Sequence, residues 1–220
     1  MLQKTILLSD FDGTVVNMDT GAFILTKFAK GDWKLLEKQF ESGKITFEEC
    51  LRKQFAMLNA PRDRIIEAVD EAASLRPHFV QLVNRCEEHG IRFIIVSGGL
   101  DFCINHLLKK NHITMEVVAP KSNYAATGIE LQFPSVHDNS SFSFKDDLVK
   151  HYRRLGFVVI FVGDGYADYF ALKEADLRFA VKGSVSARMC RANGIACQEI
   201  SDFTPVLGLV EAEGTSRSPL

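Results

Sequence analysis

The sequence predicts an α/β protein, a parallel sheet with helices on both faces and a smaller helical unit inserted after the first strand. Three features of the 220-residue chain lead there. Short apolar runs at Ile6-Leu7-Leu8, Phe93-Ile94-Ile95-Val96 and Phe157 to Val162 each end in small or acidic residues. Near-continuous apolar strands of this kind are buried on both sides, as in a sheet held between helices. Each run is followed by a helical pattern, the order that successive parallel crossovers require. Between the first and second runs lie about 75 residues with no strong strand signal, far more than one crossover uses.

The elements follow in order. The first strand closes on Asp10-Phe11-Asp12-Gly13-Thr14. The long insertion, residues 16–74, reads as helical. Its clearest helix starts at Thr46, where Thr46-Phe47-Glu48-Glu49 is a capping-box pattern and Phe47, Cys50, Leu51, Phe55 and Leu58 form an apolar stripe. The remainder, residues 1–15 with 75–210, completes a Rossmann-like core. Its helices are expected at about 77–89, 100–111, 145–155, 167–175 and 203–212, with a weaker strand at Leu177 to Val181. Residues 115–133 read as a strand pair around Ala126-Thr127-Gly128, a hairpin appended to the sheet. The tail from Glu211, residues 211–220, is expected to fray.

Composition narrows the function classes. The net charge of -2 and the absence of a clustered basic stripe argue against a nucleic-acid partner. The longest wholly apolar run, Phe157 to Val162, is too short for a membrane helix. The five cysteines are odd in number and form no CxxC pair, and the opening residues lack a secretory pattern. A cytoplasmic protein in a reducing compartment is expected.

The chemistry gathers at the carboxyl ends of the three strong strands, where open parallel sheets bind ligands. Asp10 and Asp12, two residues apart on extended backbone, point to one side. They suit a nucleophile and a partner acid/base. Gly163-Asp164-Gly165-Tyr166-Ala167-Asp168 brings two further acids to the same edge. Four converging carboxylates need a divalent cation among them, and an oxygen-rich donor set suits Mg²⁺. Ser97-Gly98-Gly99 opens a helix, so a hydroxyl and free N–H groups form an anion site. Lys145 opposes the dipole in the first turn of its helix, which makes sense if it faces an anion. Together these groups describe a phosphate held for attack.

In that order, Asp10 to Thr14, Ser97, Lys145 and Gly163-Asp164 through Asp168 resemble the four motifs of the haloacid dehalogenase-like superfamily. The helical insertion is similar to the C1 cap of its subfamily IB, which holds phosphoserine phosphatases and methionine-salvage phosphatases. The resemblance implies a Mg²⁺-dependent phosphomonoesterase acting on a small phosphometabolite, such as phosphoserine or a methylthio-ketose phosphate. Asp10 would be the nucleophile that forms an aspartyl-phosphate, and Asp12 the general acid and base. Asp10, the Asp12 main-chain carbonyl, Asp164 and Asp168 would hold the metal, while Ser97, the Gly98 N–H and Lys145 would bind the phosphate. Asp19 and Arg52 align with the groups that bind the ammonium and carboxylate of phosphoserine. A phosphomutase using the same intermediate and a non-catalytic phosphate-binding module are the alternatives. Phe23, Phe40 and Phe55 are candidates to line a cap pocket, whereas Asp176 reads as a turn and Cys103 as a buried apolar group.

Overall fold

A computed structural model describes residues 4–125 and 128–215. The central strand β1 (Thr5–Ser9) is buried throughout, with Ile6, Leu7 and Leu8 fully shielded from solvent. After it come four helices, α1 (Thr20–Phe28), α2 (Trp33–Glu41), α3 (Phe47–Ala56) and α4 (Arg62–Ala72). The core then resumes with α5 (Phe79–Glu88), β2 (Arg92–Val96), α6 (Asp101–Lys110) and β3 (Glu116–Val118). A hairpin, β4 (Lys121–Ala125) and β5 (Gly128–Gln132), precedes α7 (Phe144–Arg154) and β6 (Val158–Gly163). The chain ends through α8 (Tyr166–Glu174), β7 (Leu177–Val181), α9 (Val185–Ala192), β8 (Gln198–Ile200) and α10 (Thr204–Thr215).

Six of these strands form one parallel sheet in the order β3-β2-β1-β6-β7-β8. The order reverses between β1 and β6, so the ends of those two strands flank the crevice where such sheets take ligands. Alternate side chains feed two apolar cores. Leu7, Ile95, Ile160 and Val162 pack with α5, α6 and α10, while Ile6, Leu8, Ile94, Val159 and Phe161 pack with α7, α8 and α9. This is the Rossmann-like arrangement that the apolar runs predict.

The helical insertion does not build an isolated core. Ile24, Leu25, Phe55, Leu58, Ile65 and Val69 belong to the same cluster as Leu7 and Ile95. Where the chain leaves the sheet and where it returns, Val16 and Leu75 pair antiparallel, and Asn17 N–H donates to the Ser74 carbonyl at 3.0 Å. The expected capping box of α3 forms in both directions, from Glu49 N to Thr46 Oγ1 at 3.1 Å and from Thr46 N to Glu49 Oε2 at 3.0 Å.

Two expectations need correction. The hairpin is not appended to the main sheet but forms a separate two-stranded sheet that packs on α3. Only Glu116–Val118 of the 115–133 region joins the parallel sheet. Pro120 follows directly and has no N–H with which to continue a ladder. Gly128 pairs with Ala125, with φ of +134°, and a Cβ there would meet the Ala56 carbonyl oxygen at 2.5 Å. Glycine is what allows that close approach. Ala126 and Thr127, at the expected turn, lie outside the described residues. Likewise, the last helix does not stop at 212, because α10 continues to Thr215, with Val210 buried and Arg85 Nε 3.3 Å from Glu211 Oε1. Residues 216–220 lie outside the described residues.

Candidate active site

The loop after β1 is set by its backbone. Asp10 N–H still donates across to the Val162 carbonyl at 2.9 Å, so the residue is held extended at the end of the ladder. Phe11 turns into the core with no exposed surface, which sends Asp10 and Asp12 to the other side. Gly13, with φ of +72°, closes the turn, and a Cβ there would collide with the Asp164 carboxylate. Arg76 fastens the loop from outside by donating to the Gly13 and Thr14 carbonyls, both at 2.7 Å.

Lys145 lies at the centre. It follows the N-cap Ser143 of α7 and is 4% exposed, with Nζ 2.7 Å from both Asp10 Oδ1 and Asp168 Oδ1. Burial works against its charge, but the two carboxylates outweigh it and hold the ammonium firmly protonated. Asp168 spends its other oxygen on the start of α8, accepting from Gly165 N at 2.8 Å and Asp164 N at 3.1 Å. It therefore caps a helix and contacts the site at once. Asp164 accepts from Thr14 Oγ1 at 3.1 Å.

Asp12 is held separately. Thr20 Oγ1 donates to its Oδ1, and Ser97 Oγ donates to its Oδ2 at 3.1 Å. Ser97 in turn accepts from Gly99 N at 3.0 Å. Burial, and next the negative charge of Asp19, push the Asp12 carboxyl up to about 6, with the two hydroxyls partly opposing. Burial and Asp168 raise Asp164 to about 7, and burial with the neighbouring acids raises Asp10 well above the ordinary range. Asp10, Asp164 and Asp168 each offer a carboxylate oxygen, all within 4.8 Å of one another. These hard oxygen donors, two with carboxyls raised by burial and neighbouring acids, fit a divalent cation such as Mg²⁺.

A pocket opens from these acids between the core and the helices α1, α2 and α3. Gly98 is the point where the insertion comes down, since a Cβ there would stand 2.8 Å from Phe47 Cζ. Phe40 and Phe55 line the pocket and Phe23 does not. Asp19 lines it while capping α1, accepting from Ala22 N at 2.8 Å.

Against this geometry, the haloacid dehalogenase-like hydrolase family model matches residues 7–173. The chain belongs to this family. A relative within reach is the 2-hydroxy-3-keto-5-methylthiopentenyl-1-phosphate phosphatase of Brevibacillus brevis, 31% identical over 80% of this chain and 82% of its own length. The enzyme of the same name from Bacillus pumilus is 26% identical, covering 92% of this chain and 89% of that one. Among solved structures, a phospho-aspartyl intermediate analogue of phosphoserine phosphatase superposes with a TM-score of 0.69 at 21% identity. That match covers 94% of this chain and 99% of the other, and it supports the Rossmann-like fold.

Of the residues singled out from the sequence, Asp10, Asp12, Ser97, Gly98, Lys145, Asp164 and Asp168 come together at the β1 and β6 ends. Arg52 does not. Its guanidinium donates to the Leu131 carbonyl and lies over the Phe133 ring at 4.7 Å, engaged with the hairpin and outside the pocket lining. The alignment that suggested a ligand contact for Arg52 is not met, and the side chain reaches the second sheet instead. Asp176 is remote as expected, accepting from Val159 N at 2.9 Å, and Cys103 is buried in the apolar core. Thr14, Thr20, Gly99 and Arg76 were missed. Thr14 and Thr20 stood beside acids already chosen, whereas Arg76 carried no local signal.

Proposed function

We propose that the protein is a phosphomonoesterase of small phosphate esters, working through an aspartyl-phosphate on Asp10 with Mg²⁺. The observation that carries this reading is the meeting of four carboxylates in one pocket with a buried lysine that pairs with two of them. Asp10, the Asp12 main-chain carbonyl, Asp164 and Asp168 would hold Mg²⁺, which when bound neutralises charge on the phosphoryl oxygens.

The chain's own groups then divide the work. Lys145 fixes the Asp10 carboxylate, so that one oxygen is presented to phosphorus while the ester bond opposite it breaks. Asp12, with its carboxyl near 6, passes its proton to the departing alcohol oxygen. It next takes a proton from the water that attacks the phosphorus of the aspartyl-phosphate, and inorganic phosphate leaves with Asp10 restored. Thr20 keeps Asp12 aimed in both steps. Ser97, the Gly98 N–H and the Lys145 ammonium supply the donors for the phosphoryl oxygens.

Residues 16–74 act as the cap that screens this site, and Asp19 is the pocket carboxylate whose charge acts most on Asp12. With Arg52 held by the hairpin, the described residues that line the pocket include no guanidinium for a substrate carboxylate, which weighs against phosphoserine. An ester with an uncharged or apolar leaving group is favoured, in keeping with the compound that names the Brevibacillus brevis relative. The test is phosphate release from a panel of phosphometabolites, with Mg²⁺ or with chelator, by the wild type and by Asp10→Asn. Metal-dependent release that falls at least about 10³-fold in the variant is expected. Equal release by the variant would overturn the proposal.

A further inference from the structure

The cap side of the pocket is lined by apolar rings and by hydrogen-bond acceptors. Trp33, Phe40, Phe47 and Phe55 form the rings. Gln54 stands among them, only 6% exposed, with its amide Nε2 donating to the Trp33 carbonyl at 3.2 Å. Its Oε1 accepts from no described residue, and Gln54 is one of the residues that line the pocket. A carbonyl oxygen in that position awaits a donor. The other polar side chains on α2 that face the pocket, Glu37 and Glu41, are also acceptors.

Positive charge is missing on this side. Among the described residues lining the pocket, Lys145 is the one cation, and Asp10 and Asp168 already hold it. Lys34 lies outside the lining, over the Trp33 ring at 5.6 Å, and Arg52 is engaged with Leu131 and Phe133. A leaving group entering here meets apolar walls, a waiting acceptor and negative charge.

Resting on the phosphatase reading above, we propose that Gln54 is a specificity-determining residue and that the true leaving group is an apolar chain bearing a hydrogen-bond donor and no anionic group. A hydroxyl satisfies Gln54 Oε1. An ammonium does so too and is drawn further by Glu37 and Glu41. A carboxylate leaves Oε1 without a donor and adds repulsion, so the pocket selects against it.

The test compares kcat/KM for butyl phosphate and for its counterparts with a terminal hydroxyl, ammonium or carboxylate, with p-nitrophenyl phosphate as the general substrate. The hydroxyl or ammonium ester should exceed butyl phosphate by about tenfold, and the carboxylate ester should fall about tenfold below it. Gln54→Met should bring the hydroxyl-to-butyl ratio close to one. Glu37→Gln should erase an ammonium advantage while leaving a hydroxyl advantage, which tells the two donors apart. Because Glu37 is exposed, that variant and the wild-type series stand even where Gln54→Met does not fold. Turnover of the carboxylate ester equal to or above that of butyl phosphate, or an unchanged ratio in Gln54→Met, overturns the proposal. If no ester is hydrolysed, p-nitrophenyl phosphate included, the phosphatase reading fails separately. Calorimetric binding of the same series then decides, with the carboxylate ester binding tightest as the overturning result and the donor-bearing esters binding tightest as the sustaining one.

Discussion

Gly99 carries no side chain because the Asp12 carboxylate occupies the space where one would go. Its φ is not in the left-handed region, so the demand is for room rather than for backbone freedom. Gly99→Ala should therefore fold with a melting temperature near that of the wild type while displacing Asp12 from Ser97. We expect kcat to fall about 10²-fold with KM changed far less, since Asp12 acts on protons rather than on binding. Steady-state kinetics against a thermal melt separates this from general destabilisation. At this scale the sequence was informative where chemistry is local. Asp10, Asp12 and Gly13 announce a strand end within a few residues. Arg76 binds the same loop from 62 residues away and has no such signature.

Elements decide how firmly those groups are held. Helix α7 carries Lys145, and its N-terminus is anchored by Asp147, nearly buried, which accepts from His137 N at 2.9 Å, His137 Nδ1 at 2.9 Å and Asp138 N at 2.8 Å. Burial pushes this carboxyl up, but the His137 and Asp138 donors outweigh it and leave it below the ordinary range. A carboxyl depressed in the folded state adds stability that is whole above its unfolded value, about 4, and fades as pH drops through the folded one. The urea midpoint of the wild type should thus fall more steeply than that of Asp147→Asn as pH drops below about 4. Parallel pH profiles for the two proteins would remove this role. Between α3 and β5, Arg52→Met should cost about 1–2 kcal/mol by breaking the link to Leu131 and Phe133. Its effect on KM should be the same for carboxylate-bearing and carboxylate-free esters, and a selective loss for the former would return Arg52 to the pocket. The hairpin shows why this contact was illegible. Helical periodicity says which residues leave the α3 stripe but not what they meet, and the partner lies 79 residues on.

For the whole molecule, the parallel sheet was readable because its central strands are apolar on both faces, a pattern that few other folds leave. The short edge strand β8 was not, and β3 was read only as part of a hairpin, since three-residue strands carry too little period to recognise. The seat formed by Asp10, Asp164 and Asp168 joins β1 to the β6–α8 corner, so a cation bound there ties distant parts of the fold. Mg²⁺ at about 100 times its dissociation constant should stabilise the protein by about 2.7 kcal/mol. Thermal melts should show that gain in the wild type and its loss in Asp164→Asn. An unshifted melting temperature would take the metal away from this seat. Finally, the antiparallel pairing of Val16 with Leu75 brings the two ends of the insertion side by side. Replacing 17–74 by a tight two-residue turn would close a hairpin there while removing Ile24, Phe55, Ile65 and Val69 from the cluster that includes Leu7. The excised surface on α6, which packs against α4, would be greasy, so such a miniature would need polar substitutions on that helix to remain in solution. So repaired, it would be a bare scaffold for grafting other lids.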